Sequence, residues 1–186
     1  MIPELEPIGR VLTAEEYDAL PENPRRELVD GVIQMMAVPT SWHRAVKGAL
    51  WSALRRGRPD DRAVVAGMEI RLKPLLRRIP DIVVVHRPAV AWGHNQWEPS
   101  EVVLAVEVVS PGSQSTDRRY KPAEYAAAGI EHYWLVETDP EVVVHAYWLV
   151  APGRYDLTGT FKTGDTVTVP ALAWVSLDVA DLADEG

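Results

Sequence analysis

Two acids stand inside otherwise apolar runs of this chain. Asp81 follows a proline and opens Pro80-Asp81-Ile82-Val83-Val84-Val85, and Glu107 interrupts Val102-Val103-Leu104-Ala105-Val106-Glu107-Val108-Val109. A carboxylate taken into a buried strand loses on the order of several kcal/mol of solvation unless a cation, a metal ion or a set of donors compensates it. Glu107 therefore has two readings, a structural ion pair with an arginine or a metal ligand. If the two strands lie side by side, the carboxylates of Asp81 and Glu107 converge. Two hard oxygen donors, completed by a main-chain carbonyl and waters, suit Mg²⁺ or Mn²⁺ better than zinc, because the chain offers no cysteine and no paired-histidine spacing.

Three more residues carry weaker signals. Glu27 lies on the first arm of an expected hairpin, where spacing alone reads as an exposed strand acid. His43 falls in the first turn of an expected helix; with no second histidine at ligand spacing it reads first as a local hydrogen-bonding residue. Lys121 sits in the first turn of a later helix, where the helix dipole gives a cation no help. It is either a solvated lysine or one whose amine reaches back to the end of the Glu107 strand.

The elements that must hold these residues are legible in outline. Thr13 caps a short helix with Glu15 and Glu16 in its first turn, ended by Pro21 and Pro24. Arg26 to Met36 reads as a hairpin turning at Asp30-Gly31. Ser41 to Arg56 reads as a helix with Ser41 as its cap and an apolar stripe of Val46, Ala49, Leu50, Ala53 and Leu54. Arg62 to Leu72 alternates as one strand, and Leu75 to Arg78 reads as a basic turn into the Asp81 strand. Arg87 to Ser100, rich in proline and tryptophan, is a loop in which Trp92 and Trp97 read first as lids over the core, with base stacking as the alternative. The Glu107 run has six β-branched or leucine residues in its eight, the mark of a strand buried on both faces. A polar turn follows, then a helix from Arg118 to Ala128 capped by Asp117 and closed by Gly129. Strands at His132 to Val136, Val142 to Trp148, Tyr155 to Phe161 and Thr166 to Val169 complete the order. The expected fold is α/β (α+β): a central mixed β-sheet flanked by a few helices, with an N-terminal β-hairpin and additional C-terminal strands.

Composition bounds the function classes. The 186 residues, 47% hydrophobic and 25% charged, suffice for one core and are read as one domain, residues 1–186. The absence of cysteine, of a signal-like N-terminus and of an apolar run near membrane-spanning length gives a cytoplasmic protein without membrane attachment as the expectation. The net charge of −8 is unevenly spread. Residues 44 to 78 carry a local balance of +7, while residues 131 to 186 carry −8. That asymmetry permits a cationic face for a polyanion, and equally an ordinary solvated face.

The series Glu27-Leu28-Val29-Asp30-Gly31, Ser41-Trp42-His43, Pro80-Asp81, Glu107-Val108-Val109-Ser110-Pro111, Asp117-Arg118-Arg119-Tyr120-Lys121 and Tyr125 to Val136 closely resembles the Uma-type family of restriction-endonuclease-like proteins, long carried as a domain of unknown function. That family resembles a branch of the PD-(D/E)xK nuclease superfamily, and the match spans roughly residues 12 to 150. The resemblance implies a restriction-endonuclease-like fold and a Mg²⁺- or Mn²⁺-dependent endonuclease acting on DNA, with a homodimer as the candidate assembly. By the same resemblance Asp81 is the acid of the PD motif and Glu107 the acid of the second motif. The main-chain carbonyl of Val108 joins them as a ligand. The superfamily's usual lysine position holds Val109, and Lys121 takes that role from the next helix. Glu27 matches an acid contributed from the N-terminal part, to hold a second metal or its water, and His43 positions substrate or Glu27. The alternative is an inactive nuclease-fold domain that binds nucleic acid or protein.

Overall fold

The computed structural model describes residues 9–23, 25–87, 90 and 95–183. In chain order its helices are α1 (Ala14–Asp18), α2 (Ser41–Gly57) and α3 (Lys121–Ala128). The strands before the second helix are β1 (Arg26–Val29) and β2 (Val32–Met35). Between α2 and α3 come β3 (Arg62–Ala66), β4 (Glu69–Lys73), β5 (Leu76–Arg78), β6 (Ile82–His86), β7 (Gln96–Trp97) and β8 (Val102–Val108). After α3 follow β9 (His132–Glu137), β10 (Val143–Ala151), β11 (Arg154–Lys162), β12 (Thr166–Val167) and β13 (Leu177–Asp178). Among the described residues no helix is long and apolar enough to cross a membrane.

A mixed six-stranded sheet forms the centre, in the order β11-β10-β9-β8-β6-β3. β8, buried along its whole length, pairs antiparallel with β6 and parallel with β9. The parallel pair requires a crossover, and α3 supplies it. Alternation along the strands divides the core. Ile82, Val84, Leu104, Val106 and Val108 pack with Val46, Leu50 and Leu54 of α2, and the C-terminal residues Val167 to Leu182 close that layer. Val83, Val85, Ala105, Tyr133 and Leu135 face the other way, toward Tyr125 of α3 and toward Ile70, Leu72 and Leu76.

The N-terminal hairpin does not join the central sheet. It belongs to a second, five-stranded sheet in the order β2-β1-β5-β4-β7. Its turn is as expected: Asp30 and Gly31 both take positive φ, 50° and 79°, the backbone of a two-residue hairpin loop. Gly129 ends α3 in the left-handed region at φ 85°.

Several local expectations need correction. Thr40, not Ser41, caps α2, its hydroxyl accepting from the His43 amide at 3.1 Å. Arg62 to Leu72 is two strands in two different sheets, broken at Gly67, where φ reaches 65°. Leu75 to Arg78 is no basic turn: β5 lies inside the second sheet, between β1 and β4, with Arg77 and Arg78 fully buried. Asp117 does not cap α3; it lies within a π-helical turn, Thr116–Tyr120, that runs into the helix. The Arg87 to Ser100 stretch contains β7 and a 3-10 turn at Pro99–Glu101. Trp97 is buried against the second core layer, and Trp92 lies outside the described residues.

Candidate functional site

The register Ile82↔Val106 puts Asp81, just before β6, opposite Glu107 near the carboxyl end of β8. In parallel-containing sheets that end is where connections diverge and ligands are held. Asp81 is buried and every oxygen is engaged. Its Oδ2 accepts from the Val108 amide at 2.9 Å and lies 3.1 Å from His43 Nε2; its Oδ1 accepts from Lys47 Nζ at 3.0 Å. Burial alone would raise this acid. The hydrogen bond from His43, the Lys47 ammonium and the Val108 amide overcome that and hold it at about 2.

Glu107, 2% exposed, points to the α3 side of the sheet. Tyr125 Oη donates to its Oε1 at 2.7 Å, and Lys121 Nζ lies 2.9 Å from its Oε2. Burial pushes the Glu107 carboxyl well above the usual range; the Lys121 charge opposes this, and the negative charges of Asp117, Asp81 and Glu27 add to it. Lys121 touches two further acids, Asp117 Oδ1 at 3.2 Å and Glu27 Oε1 at 3.5 Å. Burial disfavours its ammonium, but Glu107, Glu27 and Asp117 together raise its pKa, so it is a permanent cation. Burial likewise raises Asp117, against the pull of Lys121.

Glu27 is not the exposed strand acid that spacing indicates. It is 4% exposed, accepting from the Ile79 amide at 2.9 Å and from one arm of Arg78 at 2.9 Å. The other arm and Nε of Arg78 grip Glu124 of α3 at 2.8 and 2.7 Å. Arg78 thus ties the second sheet to the helix that carries Lys121 and Tyr125. His43 contacts Asp81, not Glu27.

The structure therefore brings Asp81, Glu107, Lys121, Glu27 and His43 into one buried polar cluster, with Val108 contributing an amide to Asp81. Sequence reasoning did not single out Lys47, Arg78, Glu124 or Tyr125 for it, and it gave Asp117 another role. One signal was available: Asp117, Lys121 and Tyr125 recur every fourth residue and so share a face of the α3 segment. Five carboxyl groups (Glu27, Asp81, Glu107, Asp117, Glu124) meet the basic side chains of His43, Lys47, Arg78 and Lys121. Among the described residues, no three side chains of His, Cys, Asp or Glu type gather as a ready metal cage.

Comparisons with known proteins bear on the fold and the family. No curated protein matches the chain. Its fold is that of the crystal structure of a putative nuclease belonging to DUF820 from Anabaena variabilis ATCC 29413, with a TM-score of 0.75 and 20% identity over 92% of this chain and 97% of that one. Residues 14–180 match the profile of the Uma2 family, described as "Putative restriction endonuclease". With nearly its whole length inside that match, the chain belongs to the Uma2 family.

Proposed function

We propose that this protein is a metal-dependent endonuclease that hydrolyses DNA phosphodiester bonds at the Asp81–Glu107–Lys121 cluster. The observation that carries the reading is Lys121 Nζ placed 2.9 Å from Glu107 beside the β6–β8 pair, although it comes from the next helix and not from the strand position held by Val109. The donor set fits Mg²⁺ or Mn²⁺: the oxygens of Asp81 and Glu107 are hard, and the two residues stand opposite each other, just before β6 and on β8. Asp81, Glu107 and the carbonyl of Val108 would hold the ion. Bound there, it would supply Lewis acidity toward a phosphate oxygen and lower the pKa of a water.

The chain's own residues divide the remaining work. Lys121, locked as an ammonium by three carboxylates, is no general base; it stabilises charge developing on the phosphate or orients the attacking water. Tyr125 fixes one oxygen of Glu107, and Lys121 Nζ lies 2.9 Å from the other. His43 and the Val108 amide fix Asp81 in the same way. Glu27, with both oxygens already engaged, serves as an anchor for Lys121 and Arg78.

One observation favours the second reading, an inactive nuclease-fold domain that binds nucleic acid or protein: Asp81 and Glu107 are each already satisfied by protein donors. A nuclease assay with Mg²⁺ or Mn²⁺ on supercoiled, linear double-stranded and single-stranded DNA separates the two. Cleavage that vanishes in both Asp81→Ala and Glu107→Ala supports the enzyme, and no cleavage of any substrate by the intact protein supports the binding domain.

A further inference from the structure

Helix α2 presents His43 and Lys47 one turn apart, and each takes a different oxygen of the same carboxylate. The two contacts are unlike. The His43 side chain is 8% exposed, and its partner Oδ2 is also held by the Val108 amide, a backbone group of the sheet. The Lys47 side chain is 27% exposed, on a flexible stem. Oδ1 is thus the oxygen of Asp81 whose partner can leave without opening the core.

We propose that Lys47 is a place-holder cation: its ammonium compensates Asp81 Oδ1 in the metal-free protein and withdraws toward solvent when a divalent ion takes that oxygen. The inference rests on the metal-site reading above. Its physical basis is that a charged, buried Asp81 must always have a counter-cation, and that two cations cannot share one oxygen at contact distance without strong repulsion. A lysine suits the exchange because its compact charge rides on four rotatable methylenes, whereas the imidazole of His43 is packed. Lys47 then sets the metal affinity of the site by competing for it. The residue holds the empty site together and weakens the filled one, the reverse of what a ligand does.

Calorimetric titration with Mn²⁺, alongside thermal unfolding with and without the ion, tests this on the full chain. Lys47→Met is expected to bind Mn²⁺ about tenfold more tightly than the parent protein. Its metal-free form is expected to melt lower, while the rise in melting temperature on adding Mn²⁺ becomes larger. Lys47→Gln, a polar neutral replacement, gives the same pattern and serves if the methionine variant does not fold. Lys47→Arg, which keeps the charge, is expected to show no gain in affinity. Equal or weaker binding in both neutral variants, with binding intact in the parent and lost in Asp81→Asn, overturns the place-holder while leaving the metal site standing. Absence of Mn²⁺ binding in the parent and in every variant overturns the metal reading, and this inference with it.

Discussion

Glu107 and Asp81 are buried acids whose titrations act on stability in opposite directions. The Glu107 carboxyl is raised above its unfolded value of 4.5 by burial and by Asp117, Asp81 and Glu27, against the pull of Lys121. An acid whose folded pKa is raised favours the fold while it is protonated in both states. That contribution is complete below 4.5 and is lost as pH rises from there through the higher folded value. Asp81, held at about 2, works in the other direction: its contribution is present above the unfolded 3.8 and is lost as pH falls toward 2. The metal-free protein should therefore melt highest in mildly acid solution and lower at neutral pH. Glu107→Gln should raise the metal-free melting temperature at neutral pH by a few degrees, at about 2–4 °C per kcal/mol for a chain of this size, and flatten the decline. A mutant that melts below the parent would show that Glu107 is chiefly a structural partner of Lys121. Lys121 itself is not a metal ligand, so Lys121→Ala should leave Mn²⁺ affinity nearly intact while lowering single-turnover cleavage by roughly 10²-fold or more, the scale of losing a positioned electrostatic group. Lys121→Arg should not restore the rate, because a planar guanidinium cannot occupy a pocket fitted to one amine among three carboxylates. Wild-type rates in Lys121→Ala would mean that the lysine only neutralises its neighbours.

Among the elements, β5 matters more than its three residues indicate. Arg78 uses Nε and one terminal nitrogen on Glu124 of α3 and the other terminal nitrogen on Glu27 of β1, so β1, β5 and α3 meet at one guanidinium. Arg78→Met leaves Glu124 without its cation and Glu27 with Lys121 alone, and removing one member of a buried ion pair costs about 3–5 kcal/mol. Urea unfolding should show that loss, with Arg78→Lys recovering only part of it because the bidentate fork is gone; a change below about 1 kcal/mol in Arg78→Met would place the clasp outside the folded core. This element was also the one least visible in the sequence. The α1 cap, the Asp30-Gly31 turn, the α2 stripe and Gly129 are local signals, and they lead to the right elements because each is set by residues within a few positions. Arg77 and Arg78 look like solvent-facing residues of a turn, since Asp18, which pairs with Arg77, and Glu27 and Glu124, which pair with Arg78, lie far away along the chain. Glu27 looks exposed for the same reason, its partner Arg78 lying 51 residues away. Alternation from Arg62 to Leu72 likewise carries no mark of the change of sheet at Gly67. In the cluster, Asp81 and Glu107 stood out because acids interrupting apolar runs are costly, whereas Lys47 and Tyr125 look like ordinary helix residues until Asp81 and Glu107 are placed beside them.

Across the whole molecule, charge follows the order of the central sheet. At one end β3 and β6 lie beside α2, and at the other β10 and β11 belong to the C-terminal part that carries the −8 balance, with the Asp81–Glu107 cluster between them at the β6–β8 pair. The +7 of residues 44 to 78 overstates the cationic surface, because Arg77 and Arg78 are buried, Arg71 pairs with Asp18 and Lys47 with Asp81. What remains outward on α2 is Arg44, Arg55 and Arg56, all exposed, on the same helix whose inner face reaches Asp81 through His43 and Lys47. A polyanion approaching the cluster from that end would meet these arginines first. Each phosphate they neutralise releases counterions, so DNA affinity should fall steeply with salt, and the combined Arg55→Gln, Arg56→Gln variant should weaken binding and reduce the log–log salt slope by roughly two, at about 0.9 per phosphate contact. Fluorescence anisotropy of a labelled duplex across a salt series reads both quantities, and metal-free conditions keep cleavage out of the measurement. Arg55 also lies over the Trp51 ring at 4.4 Å, a contact worth about 0.5–1 kcal/mol at an exposed site, so the variant's melting temperature should drop slightly without loss of fold. An affinity and slope equal to those of the parent would show that the outer flank of α2 is a solvated surface, and would move the path of the DNA to the opposite side of the cluster, where Arg118 and Arg119 stand in the π-helical turn before α3.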